Sequence, residues 1–238
     1  MHGGIRAAVA AAFVVGVLAG SAGSAPAGPA GPLLAALEAH RVVVVGERHG
    51  FGPGHRWFGR VAAAAARRFP GLAVGLELPA DLQPALDRGE TPALPPVIGG
   101  PSYQCLLGDL QALRRKGAVR LVALDLPRGE RGDRDGHMAR RVAEALAAGA
   151  PRLLALVGNL HAWGAGGKLG GRLRAAGAPC VLVGTLPGPA APRWCPPGTP
   201  GHEALSARIE ALLPPGRLSG PGFDAVLSWA AETKTARR

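Results

Sequence analysis

The chain has 238 residues, 47% of them apolar, enough to bury one sizeable core and too many for global disorder. Its formal charge of +11 comes from 27 basic residues, nearly all Arg, against 16 acidic ones. The basic residues fall in scattered pairs such as Arg67-Arg68 and Arg140-Arg141, with no interleaved aromatics to stack bases, so they read as solvated faces rather than a nucleic-acid platform.

The amino terminus comes first in chain order. After Arg6 runs "AAVAAAFVVGVLAG", followed by the small-residue stretch "SAGSAPAG". A charged start, a short apolar run and a small-residue exit predict a secretory signal peptide over residues 1–28, cleaved between 22 and 30. The apolar run is shorter than the roughly 20 residues a membrane-spanning helix needs, so no stable span is expected after cleavage. The sequence therefore predicts export to a periplasmic or extracellular compartment, where Cys105, Cys180 and Cys195 would meet oxidising conditions. Three is odd, so at least one cysteine stands outside any internal pair; Cys180 and Cys195 are near enough in sequence to bond.

From residue 32 to 231 the pattern predicts one domain, with residues 232–238 as a tail. "GPLLAALEAHR" reads as a helix and Val42–Gly46 as a strand. Residues 55–71 read as a helix, "LAVGLELP" as a second strand, and "ADLQPALDRG" as a short helix. A Pro-rich loop over 91–101 leads to the helical "YQCLLGDLQALRRKG". The third strand is "AVRLVALDLP", the next helix 133–149, and the fourth strand "PRLLALVGNLHA". "GGRLRAAG" is helical and "APCVLVGTL" is the fifth strand. A loop fills 187–202, and "FDAVLSW" is expected at the sheet edge. Strands alternating with helices and reading as unbroken apolar runs predict an α/β fold: a largely parallel sheet with helices on both faces, in a single compact domain.

The polar residues cluster at the carboxyl ends of these strands: Glu47 and His49 after the first, Glu77 after the second, Asp125 after the third, Asn159 and His161 after the fourth. Arg134 and Asp135 open the helix that follows the third. In an open parallel sheet these ends share one edge, where ligands bind, so Glu47, His49, Glu77, Arg134 and His161 are predicted to meet in one pocket. Glu77, between two leucines, is costly to bury unless paired, and Arg134 is the expected partner. Asp125 reads as a cap of the loop or a holder of the following helix. Gly46 and Gly158 read as positions of close backbone approach. His40, His55, His137 and His202 fall outside the strand-end pattern and read as ordinary residues.

Two words share one form, "GERH" at 46–49 and "GNLH" at 158–161. With the strand-end Glu77 and "RDGHMA" between them, they resemble the Tiki superfamily, which joins erythromycin esterase-like hydrolases, ChaN-like haem-binding proteins, TraB-like proteins and Tiki metalloproteases. The resemblance runs from Val42 to about Trp229. It implies a shared pocket of His49, His161, Glu47, Glu77 and Arg134. In the esterase-like branch, a His or Glu base would activate water for a small-molecule or peptide substrate. In the metalloprotease branch, His49, His161, Glu47 and Glu77 would bind a divalent metal. In the ChaN-like branch, a Tyr would ligate haem; the only tyrosine, Tyr103, reads as a loop residue outside the strand-end set, so haem is the lesser expectation. Only residues 91–103 and 187–202 offer material for a lid.

Overall fold

The computed structural model describes residues 30–188, 193–211 and 222–230. The expected signal peptide and the tail lie outside these residues. A seven-stranded sheet comprises β1 (Val42–Glu47), β2 (Leu72–Pro79), β3 (Val119–Asp125), β4 (Leu153–Gly158), β5 (Cys180–Gly188), β6 (Arg193–Cys195) and β7 (Ala225–Ala230), in the order β3-β2-β4-β1-β5-β7-β6. All neighbours are parallel except β6, which runs antiparallel to β7.

The unbroken valines of β1 explain the layering. Val43 and Val45 face one apolar layer, built with α1 (Gly31–Ala39), α2 (Gly52–Arg68) and α4 (Pro101–Arg115). Val42 and Val44 face the other, built with α5 (Arg134–Ala147), α7 (Leu169–Ala175) and α8 (Pro200–Glu210). A strand covered on both faces has no polar side, so alternation disappears from its sequence. The predicted α/β architecture is the observed one. No helix among the described residues is long and apolar enough to cross a membrane.

Several boundaries differ from expectation, and proline accounts for most of them. Helix α2 begins at Gly52, three residues early, with Pro53 in its first turn. Helix α4 begins at Pro101, two residues before the predicted helix start at Tyr103, so Tyr103 lies inside its first turn and not at a loop boundary. Helix α8 begins at Pro200, in a stretch where the sequence suggested loop and then nothing regular. Proline at the first helical position lacks only an N–H that has no partner there anyway, so it opens helices as readily as it marks loops. Short helices α3 (Gln83–Arg88) and α6 (Asn159–Ala162) complete the set. The last strand is not at the edge: β7 lies between β5 and β6, and the edges are β3 and β6. No disulfide joins any of the three cysteines, so the Cys180–Cys195 pairing that their spacing allowed is not formed. Burial pushes the Cys180 thiol up to about 11, so it stays protonated at neutral pH.

Candidate active site

The strand order places β4 between β2 and β1, so three neighbouring strands end side by side. In register, Glu47 of β1 stands beside Gly158 of β4. The pairing of β2 with β3 shifts register between Leu76 and Pro79, so the local irregularity falls on Glu77, a device that re-aims a side chain at a strand end. Helix α6 then turns His161 back over the same edge, where the sequence suggested continued strand.

Two imidazoles are backed by carboxylates. His49 Nδ1 donates to Glu47 Oε1 at 3.0 Å, and His161 Nδ1 donates to Asp135 Oδ1 at 2.8 Å. The proton is assigned to Nδ1 in each because the carboxylate can only accept. Their Nε2 atoms therefore carry the lone pair in the neutral rings, and both turn toward one carboxylate: His49 Nε2 lies 3.9 Å from Glu77 Oε2 and His161 Nε2 3.5 Å from Glu77 Oε1. Glu77, 6% exposed, also accepts the Gly158 N–H at 2.5 Å and Arg134 Nη2 at 2.9 Å. Arg134 donates Nε and Nη2 to Asp125 as well, at 2.8 and 2.5 Å. Asp125 meets both expectations: it caps the Leu126 N–H and holds the first residue of α5 through this guanidinium. Arg134 lines the cleft, and its Nη1 makes no hydrogen bond among the described residues.

The electrostatics follow from these contacts. The hydrogen bond to Glu47 raises the His49 pKa above the ordinary 6.5, against burial, with Glu77 assisting. Burial pushes Glu47 up, but hydrogen bonds from His49 and His55 more than offset it and hold the carboxyl below its usual range. Asp135 is likewise pushed up by burial and held low by its His161 hydrogen bond. The Asp125 hydrogen bonds raise the Arg134 pKa further, so it is charged throughout.

His55, read from the sequence as ordinary, belongs to the site. It is 1% exposed, and its Nε2 reaches Glu47 Oε2 at 2.6 Å while Nδ1 meets Ser102 Oγ at 2.8 Å. The available signal was its place eight residues past Glu47, one helical turn into the following helix. Asp135 was seen at a helix start but not assigned a role. Asn159 clamps β5 by exchanging two hydrogen bonds with the Thr185 backbone, each 2.9 Å.

The glycines of both words sit at close approaches, tighter at Gly46 than at Gly158. A Cβ on Gly158 would lie 3.2 Å from His49 Nε2 and 3.4 Å from Glu77 Oε2. A Cβ on Gly46 would meet Asn159 Oδ1 at 2.5 Å and Asn159 Cα at 2.8 Å. Each lets the paired His word of the other strand close in.

The five predicted residues, Glu47, His49, Glu77, Arg134 and His161, line one open cleft of about 600 Å³, with Arg48, Val97, Leu160, Leu205, Arg208 and Ile209 as further walls. This falls within the roughly 300–1,000 Å³ of small-molecule sites. Another depression, about 450 Å³ beside β3, is lined by Arg120, Arg141 and Gln83 and contains none of these groups. The candidate metal ligands do not fit a cation: no three His, Cys, Asp or Glu residues among those described form a set that could hold one. Both Glu47 oxygens are taken by imidazoles, and the Arg134 guanidinium occupies the open side of Glu77. Tyr103 does not fit a haem ligand. It is 1% exposed, its hydroxyl has no hydrogen-bond partner, and its ring packs edge-on against His55 at 5.1 Å. Burial raises its pKa well above 10, opposing the phenolate that would bind iron.

No protein-family model matches the chain, and no curated protein does. Among solved structures it is similar to the type III effector HopBA1, at 11% identity and TM-score 0.52, over 87% of this chain and 94% of the other. It is also similar to ChaN of Campylobacter jejuni, described with cofacial haem binding, at 13% identity and TM-score 0.50, over 82% and 89% of the two chains. RRSP, a MARTX toxin effector domain from Vibrio vulnificus, aligns over 56% of this chain and 30% of its own, at 22% identity and TM-score 0.39. The first two are likenesses of fold alone.

Proposed function

We propose that the chain is a hydrolase that splits an ester or amide bond with water activated between two carboxylate-backed imidazoles. One observation carries this reading: His49 and His161 each present Nε2 toward the same Glu77, which holds Arg134, and all four line one open cleft. Of the two, His49 is the more accessible, 30% exposed against 11% for His161, so it is the base that meets water. In its neutral form, Nε2 takes a proton from water as the water oxygen bonds to the carbonyl carbon. The negative charge that develops on the carbonyl oxygen faces Arg134 Nη1. As the tetrahedral intermediate collapses, the bond from carbon to the leaving oxygen or nitrogen breaks, and protonated His161 gives its Nε2 proton to that atom. Water is thereby divided across the bond, and exchange with solvent through the open cleft resets both rings. Glu77 holds Arg134 in place and favours the imidazolium form of His49.

The fold likeness to ChaN and HopBA1, joined to the "GERH" and "GNLH" words, supports placing the chain in the Tiki superfamily. The amino-terminal segment supports a reaction outside the cytoplasm. The alternative, haem binding of the kind described for ChaN, rests on the fold likeness alone, and the burial of Tyr103 counts against it. A panel of chromogenic esters and peptides, assayed with wild type and His49→Ala, with and without a chelator, tests the proposal. A loss of about 10²–10⁴ in rate on His49→Ala, insensitive to chelator, is expected. Equal inertness of both proteins, with a Soret shift on haem titration, would transfer the reading to haem binding.

A further inference from the structure

We propose that the cleft takes an amphiphilic organic anion, with Arg48 and Arg208 as the site for its headgroup; only the identity of the bond broken rests on the hydrolytic reading. The cleft wall is divided. Part of it is the polar set already described, and part is apolar: Leu160, Leu205, Ile209 and Val97. Val97 is 71% exposed, the exposed large hydrophobic among the described residues, and with the other three it gives the cleft an apolar share of lining that a hydrocarbon body can cover. Arg48 leaves the end of β1 between the two functional residues Glu47 and His49, and Arg208 lies in the last turn of α8, above the same cleft. Both are exposed, and neither guanidinium forms a hydrogen bond or ion pair among the described residues.

The acids of the cleft do not neutralise them. Glu47 is satisfied by His49 and His55, and Glu77 by Gly158 N–H and Arg134, so their oxygens are committed inward. Two open guanidinium groups beside apolar walls select a ligand with a carboxylate or phosphate at one end and a hydrocarbon body. They also steer anions into the cleft, an effect that salt weakens.

Two readouts test this separately from hydrolysis. The first is binding of 8-anilinonaphthalene-1-sulfonate, an aromatic anion, followed by fluorescence in wild type, the double variant R48E/R208E and R67E, which makes one charge change on the remote end of α2. R48E/R208E is expected to weaken binding at least tenfold, R67E less than twofold, and adipate or inorganic phosphate to compete. Equal affinity in all three proteins overturns the anion site. The second is the ratio of kcat/KM for mono-p-nitrophenyl adipate over p-nitrophenyl hexanoate. It is expected above ten in wild type and near one in R48E/R208E, falling with added salt. A ratio near one in wild type, with both esters cleaved, sinks the substrate class and leaves the hydrolase standing. Arginine-dependent probe binding with neither ester cleaved sinks the hydrolase and leaves the anion site. Circular dichroism and thermal melting confirm that the double variant is folded, and the exposure of both side chains makes that the expected result.

Discussion

Glu47→Gln separates the charge behind His49 from the geometry that holds it. The carboxylate accepts from His49 Nδ1 at 3.0 Å and from His55 Nε2 at 2.6 Å, whereas an amide can accept on one atom only. His55 has a way out: its Nδ1 meets the Ser102 hydroxyl, which can accept as well as donate, so the ring can move its proton to Nδ1 and take the new amide N–H on Nε2. The amide oxygen then keeps His49. Two charge-assisted hydrogen bonds become neutral ones, losing about 1 kcal/mol each, while a buried carboxylate no longer has to be desolvated. These terms oppose one another, so stability should change by less than about 2 kcal/mol. Rate should change more. The hydrogen bond to Glu47 is the largest cause of the raised His49 pKa, so the acid limb of the kcat/KM profile, above 6.5 in wild type, should move to lower pH. Loss of one charge-assisted contact to the imidazolium, about 1.4 kcal/mol, lowers the plateau roughly tenfold. The sign in stability is also fixed. A His whose folded pKa is raised adds stability that is complete below the unfolded value and lost as pH rises through the folded one, so Glu47→Gln should flatten stability across that window. Imidazole NMR titration follows His49 without needing a substrate. If its midpoint does not fall in Glu47→Gln, the carboxylate is not what tunes the base.

Other outcomes are equally concrete. His161→Ala should reduce kcat by about 10²–10⁴, and Asp135→Asn by less, with unchanged KM if Asp135 only orients the ring; steady-state kinetics decide. Gly46→Ala, whose Cβ would meet the Asn159 backbone at 2.8 Å, should cost about 1–3 kcal/mol in urea unfolding. Gly158→Ala meets only side-chain atoms, at 3.2 and 3.4 Å, and should cost less stability while lowering activity. Tyr103→Phe removes a buried hydroxyl that has no partner, so unfolding free energy should stay within about 1 kcal/mol of wild type. Arg134→Met leaves Glu77 buried with one N–H donor; because Arg134 is 46% exposed, the loss should fall below the roughly 3–5 kcal/mol of a fully buried broken pair.

Much of this molecule was legible in one dimension. The doubly covered strands announce themselves as apolar runs, because a residue between two helical layers has no solvent face, and polar residues at such strand ends have one common edge on which to gather. That reasoning found Glu47, His49, Glu77, Arg134 and His161 and the small residues that let the strands close. Tertiary structure alone decided the rest. Nothing in the chain order says that β4 inserts between β1 and β2, and it is this insertion that sets His161 and His49 on either side of Glu77. His55 and Asp135 escaped for the same reason: each acts through a partner on another element, and a hydrogen bond between Asp135 and a ring 26 residues away has no local signature. The helix α8, opening on a proline that reads equally as loop, brings Arg208 over the cleft only after folding. Local periodicity fixes what each segment wants to bury; the order in which strands pair fixes which side chains meet.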